Sequence, residues 1–162
     1  SNGCMMTQFF AVETQGILAS AGCMSGYLMT EAPSTYSIPI PFMEVHGVLD
    51  SSIQYTDNSA NFMIGFQSTK GINVGAMQNL DYWADLNGCS GAVPEIYELN
   101  DNFDIRGYSE CENGAEVRLM SLFLAQHNPY LNDHDIHDEP GNPTGTPSTR
   151  ILWDFMSQFQ KE

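Results

Sequence analysis

An α/β fold, with parallel strands alternating with helices, is what this sequence predicts. Short apolar runs at Ile17 to Ala21, Phe42 to His46 and Val117 to Ala125 have the length and near-continuous apolarity of buried strands. Around them, apolar residues recur at helical spacing over 2–13, 76–86 and 148–156. A chain of 162 residues, 42% hydrophobic and 11% aromatic, is long and apolar enough for one globular domain with its own core, and no internal repeat or linker divides residues 1–162.

The first helix is expected from Asn2 to Glu13, short and largely buried, because Met5, Met6, Phe9, Phe10 and Val12 recur with Gln8 and Glu13 between them. Gly16 closes it, and the strand Ile17 to Ala21 follows, ahead of Gly22 and Gly26. Three prolines between Glu31 and Pro41 make that stretch a loop. The second strand, Phe42 to His46, turns through Gly47 and ends by presenting Asp50. Gly65 to Gly75 reads as a polar loop. The next helix, Ala76 to Leu86, places Met77, Leu80, Trp83 and Ala84 on one face and stops at Asn87-Gly88. Between Ala92 and Gly107, the pattern Val93, Ile96, Tyr97, Leu99 supports at most a short strand and a turn. The strand Val117 to Ala125 is ended by His127-Asn128-Pro129, which puts His127 at a strand end. An acidic loop from Leu131 to Pro147 leads into a last, capped helix from Ser148 to Met156, with Ile151, Leu152, Phe155 and Met156 facing inward.

A formal charge of −15, from 20 acidic and 5 basic residues, repels phosphate backbones and anionic membrane surfaces, so neither nucleic acid nor membrane is an expected partner. No run approaches the roughly 20 apolar residues that a membrane helix needs. Four cysteines permit two disulfides, and low lysine with many Asn, Gly and Ser suits an extracellular protein.

Serine, acid and histidine follow one another along the chain as Ser1, Asp50 and His127. A hydroxyl activated by an imidazole that a carboxylate orients is a nucleophile. Ser1 needs a strained strand-to-helix turn to expose its oxygen, and Gly3 is the small residue that lets helix and strand approach. The plain alternative is an N-cap serine; a rival is an N-terminal nucleophile with the α-amine as base. Asp50 has its own plain reading as a turn cap. His46 precedes the acid and reads as a structural histidine. His134 and His137 lie in the polar run Asn132 to Glu139, which has no scaffold of its own, whereas His127 follows a buried strand and is the preferred base. Alternating Asp and His in that run can ligate a divalent cation, but no Gly or Glu stands at the spacing of a calcium loop. A solvated loop is therefore expected, with no metal and no cofactor.

Ser1-Asn2-Gly3-Cys4-Met5-Met6 resembles the nucleophile elbow G-x-S-N-G-G-M-M of the secreted polyhydroxybutyrate-depolymerase and feruloyl-esterase-like α/β-hydrolases, without its leading G-x. His46-Gly47-Val48-Leu49-Asp50, with Tyr55 beyond it, is similar to their H-G-x-x-D…Y segment. Trp83 with Asn87-Gly88-Cys89, then Tyr108 and Cys111, Val117 to His127 and Trp153-Asp154-Phe155 follow the family's order of landmarks. Cys4 stands where the family has a second glycine, and Asn128-Pro129-Tyr130 follows the histidine.

The resemblance implies the C-terminal part of an α/β-hydrolase domain, starting at the nucleophile serine and lacking the N-terminal strands. Any leader would then belong to an upstream half. It further implies a secreted serine carboxylic-ester hydrolase with Ser1, Asp50 and His127 as triad and the Asn2 amide as one oxyanion-hole donor. The second donor would lie upstream, so the isolated chain is expected to be inactive. The implied substrate is a polymer-linked ester, either hydroxycinnamoyl polysaccharide or polyhydroxyalkanoate. The resemblance supports pairing of Cys89 with Cys111, a closed loop for which about 3 kcal/mol is typical. Cys4 and Cys23 are left open between a bridge and free thiols. Two other classes stay open: a non-catalytic hydrolase-like interaction domain, and a serine peptidase of the same fold.

Overall fold

The computed structural model describes residues 1–56, 75–135 and 137–160. Its elements are α1 (Asn2–Glu13), β1 (Ala21–Met24), β2 (Phe42–Gly47), α2 (Ala76–Leu86), β3 (Glu95–Leu99), β4 (Phe103–Tyr108), β5 (Val117–Leu122) and α3 (Ser148–Met156). One mixed five-stranded sheet runs in the order β1-β2-β5-β4-β3. β1, β2 and β5 are parallel, and β4 and β3 continue antiparallel from β5. The polar stretch expected from Gly65 to Gly75 lies outside the described residues, apart from Gly75 at the start of α2.

Alternating residues of the central strands feed two cores. Phe42, Val117 and Leu119 pack with α1 and α2, whereas Met43, Val45, Met120 and Leu122 pack with Leu152 and Phe155 of α3. Side chains one residue apart on a strand point to opposite faces, so the sheet is covered on both sides where β1, β2 and β5 run parallel. Every residue of β2 is buried. On the α2 side Trp83 stacks on Phe42 with ring centroids 4.6 Å apart.

α1 has the expected bounds but not the expected inner face. Met6, Phe9 and Phe10 are exposed, and the buried residues are Cys4, Gln8, Ala11 and Val12. Two ties fix that rotation. Cys4 is bridged to Cys23 of β1, and the Gln8 carboxamide accepts from Trp83 Nε1 at 2.8 Å while donating to the Gly26 carbonyl at 2.9 Å. The disulfide Cys89–Cys111 also forms.

The first strand is displaced: Ile17 is exposed, and the paired segment begins at Ala21. Apolar content marked burial near this point, but partner geometry sets the strand, since small Gly22 lets α3 approach to where a Cβ would stand 3.1 Å from Leu152 Cδ2. Where at most a short strand was expected, β3 and β4 form a hairpin, closed by Asn100 Oδ1 accepting from the amides of Asn102 and Phe103. β3, exposed throughout, is the short strand expected there, and β4, whose burial follows no strict alternation, is the strand that was not expected. β5 stops at Leu122, which moves His127 off the strand end and into the following loop. Ser148 does not cap α3; its hydroxyl donates to the Pro129 carbonyl at 2.6 Å.

Trp83→Ala should lower unfolding free energy by about 3–5 kcal/mol, because it opens a cavity under Phe42 and strands the Gln8 oxygen. Denaturant unfolding monitored by circular dichroism measures this; a change below about 1 kcal/mol would contradict the packing described.

Candidate active site

β2 and β5 lie side by side with Gly47 opposite Leu122, so both strands deliver their C-terminal loops to the same edge. Beyond the strands the loops stay joined: Val48 N donates to Leu122 O at 2.9 Å and Leu49 N to Ala125 O at 3.1 Å. Gly47 permits this contact, since a Cβ there would collide with the Ala125 and Gln126 carbonyls. The chain beyond β5 therefore crosses the end of β2 and brings His127 to Asp50.

Asp50 uses its two oxygens for different tasks. Oδ1 accepts from the amides of Ser52 at 2.9 Å and Ile53 at 2.7 Å, which is the turn-capping role. Oδ2 lies 2.6 Å from His127 Nδ1. The carboxylate is buried, and burial alone would raise its pKa, but the bonds from His127, His46 and the Ile53 amide outweigh this and hold it well below the usual carboxylate range. His127 is partly exposed. With Nδ1 bound to an anion, Nε2 is the ring nitrogen left for proton exchange.

The run Asn128-Pro129-Tyr130 holds this loop in place. Tyr130 is wholly buried with a left-handed backbone (φ 51°). Its hydroxyl accepts from Gly47 N at 2.8 Å and bonds the Ser25 hydroxyl, and its amide donates to Asn128 Oδ1 at 2.6 Å. Tyr130 thereby ties the histidine loop to the ends of β1 and β2. Sequence reasoning missed Tyr130, Gly47 and Ser25 as site-building residues; only Gly47, inside H-G-x-x-D, carried a signal.

Ser1 stands at the N-cap position of α1, yet its side chain makes no capping bond. Ser1 and His127 line one cavity of about 480 Å³, shared with Thr7, Met24 and Asn128. Among the described residues no hydrogen bond joins the Ser1 hydroxyl to His127. Met5 N donates to Ser1 O, so the amides before it, Asn2 included, belong to the open first turn of α1. The close approach expected at Gly3 is made elsewhere. A Cβ on Gly3 would meet nothing within 4 Å, whereas one on Gly26 would stand 2.9 Å from Cys4 Cβ and 3.0 Å from the Ser1 carbonyl oxygen.

His134 and His137 line a second cavity of about 370 Å³ together with His127. His134 is paired with exposed Asp133 at 3.6 Å, and neither histidine meets Asp50. Among the described residues, no group of three or more His, Cys, Asp or Glu side chains is arranged to hold a metal ion.

No protein-family model matches the sequence. The chain is 23% identical over 159 residues to feruloyl esterase B of Piromyces equi, an alignment covering 89% of this chain and 25% of that protein. The chain is thus a distant relative of an esterase. It spans about a quarter of the length of that curated relative.

Gly47→Ala should destabilise the fold by about 1–3 kcal/mol through overpacking and pull the His127 loop away from Asp50. Loss of a downfield imidazole proton for His127 in the variant's NMR spectrum, with the wild type retaining it, is the expected result; an unchanged signal would count against the close approach at Gly47.

Proposed function

We propose that residues 1–162 form one partial α/β-hydrolase domain, its C-terminal part, of a secreted serine carboxylic-ester hydrolase. The observation that carries this reading is the 2.6 Å bond between His127 Nδ1 and Asp50 Oδ2, made beside a cavity that His127 lines together with Ser1. The esterase relative supports an ester as substrate. The two disulfides are consistent with an extracellular protein, and no helix among the described residues is long and apolar enough to cross a membrane.

In this mechanism the Ser1 hydroxyl attacks the ester carbonyl as its proton passes to His127 Nε2, while Asp50 fixes the Nδ1–H tautomer and stabilises the imidazolium. The Asn2 amide, at the open start of α1, donates to the oxyanion of the tetrahedral intermediate. Collapse of the intermediate breaks the bond to the alcohol, which leaves with the proton from His127. Water then attacks the acyl-serine by the same route in reverse. A second oxyanion donor is assigned to chain outside these residues. The ester is read as polymer-linked, with a hydroxycinnamate on polysaccharide or a polyhydroxyalkanoate as the two candidates, the first favoured by the relative's name. One observation favours a second reading, a non-catalytic interaction domain: Ser1 and His127 share a cavity but no hydrogen bond.

The test is hydrolysis of p-nitrophenyl acetate and methyl ferulate by the protein at its natural length and by its Ser1→Ala, Asp50→Asn and His127→Ala variants. Each variant should lose about 10³-fold or more in kcat. The 162-residue chain assayed alone should be slower by at least the ~10²–10³ that one oxyanion donor contributes. Wild-type turnover in His127→Ala would move the base elsewhere, and failure of the natural-length protein to cleave either ester would favour the interaction domain.

A further inference from the structure

Beneath the Asp50–His127 pair lies a second histidine that the chemistry above leaves unused. His46 is wholly buried in β2. Its Nε2 stands 2.7 Å from the Ile53 carbonyl oxygen and 3.5 Å from Asp50 Oδ2, and its Nδ1 stands 2.6 Å from Glu44 Oε1. A carbonyl has no hydrogen to give, so Nε2 carries a proton. Glu44 is buried too, and both its oxygens act as acceptors: Oε2 from Asn79 Nδ2 at 2.8 Å, Oε1 from the Gly26 amide at 3.4 Å. A carboxyl so surrounded by donors is an anion, and the second imidazole proton then sits on Nδ1. His46 is an imidazolium between two carboxylates. Burial works against its charge, but the hydrogen bonds to Asp50 and Glu44 prevail and push its pKa up to about 10.

We propose that His46 is a positioning residue of the candidate site, a fixed buried cation that holds the Asp50 carboxylate and weakens its pull on the proton that His127 takes up. The inference rests on the reading of His127 as base and Asp50 as its orienter. Both imidazoles address the same oxygen, Asp50 Oδ2, at 2.6 and 3.5 Å. A cation beside a carboxylate lowers the negative potential felt by a second partner, and removing that cation makes the partner more basic. The other groups around this cluster are accounted for. Tyr55 stands edge-on to His46 with ring centroids 5.9 Å apart and bonds Ser121 of β5 at 2.7 Å. Asp104 and Arg106 of β4 act on Tyr55 from behind. From α2 the facing group is the neutral carboxamide of Asn79.

The experiment is a ¹⁵N NMR titration of the histidine ring nitrogens in the natural-length protein, from pH 5 to 10. His46 should keep both ring protons at pH 8. In His46→Gln the His127 midpoint should rise by about one pH unit, and the acid limb of kcat/KM for ester hydrolysis should rise with it. A merely structural histidine would lower the rate at every pH without moving that limb. Glu44→Gln, a milder change, should let His46 lose its proton at lower pH. Since the fold raises the His46 pKa from 6.5 to about 10, its contribution to stability is complete below pH 6.5 and declines as pH rises through about 10; that alkaline decline should be missing from His46→Gln. A neutral His46 at pH 8, or an unmoved His127 midpoint in folded His46→Gln, overturns the proposal. The titration needs no turnover, so a shifted midpoint in a protein that cleaves no ester would uphold the charge coupling and count against the function.

Discussion

The carboxylate of Asp50 is the group on which the rest of this structure turns. Residues 77 apart in sequence meet there, because two parallel strands end side by side and the chain beyond one crosses the end of the other. Gly47 makes the crossing sterically possible and Tyr130 fixes it, by accepting from the Gly47 amide with a hydroxyl that the same loop carries. Asp50 is held to its own turn by two amides, so its free oxygen has a set direction before His127 arrives. A bond between a buried anion and a partly exposed imidazole in such a frame is preorganised, which is the condition under which a histidine can act as an oriented base.

The interior below that bond is polar by construction. Glu44, His46 and Asn79 replace apolar packing between β2 and α2, each with partners on more than one side. Charges so deep are costly unless paired, and removing one member leaves its partner uncompensated, commonly at about 3–5 kcal/mol. Asn79 extends the chain of contacts by accepting from the Leu28 amide at 3.1 Å, so the loop after β1 is fastened to the same cluster. Two disulfides restrain the borders: one joins α1 to β1, the other joins the end of α2 to the segment after β4.

Much of this was legible in the sequence where one physical cause acted alone. The spans of α1, α2 and α3 followed from helical periodicity and their stop residues, and β2 from a continuous apolar run ending in glycine. The misses arose where a partner decided the outcome. Gln8 turned inward because Trp83 and Gly26 supply its hydrogen bonds, so the apolar residues Met6, Phe9 and Phe10 turned out. β1 began at Ala21 and not Ile17 because pairing with Phe42 and the approach of α3 onto Gly22 set its position. β4 escaped notice because its burial follows no strict alternation. Ser1, Asp50 and His127 stood out as residue types in a recognisable order, whereas Tyr130 and Gly26 act through a tertiary contact that no local pattern encodes.

The most direct measurement of the central claim is covalent trapping. An aryl phosphonofluoridate added to the natural-length protein forms a phosphorus–oxygen bond with an activated serine and expels fluoride, and mass spectrometry of the digest locates the adduct. The account predicts a single modified peptide, the one that contains Ser1, and no labelling in His127→Ala. Labelling of a different serine, or an unlabelled Ser1 in protein that hydrolyses esters, would contradict it.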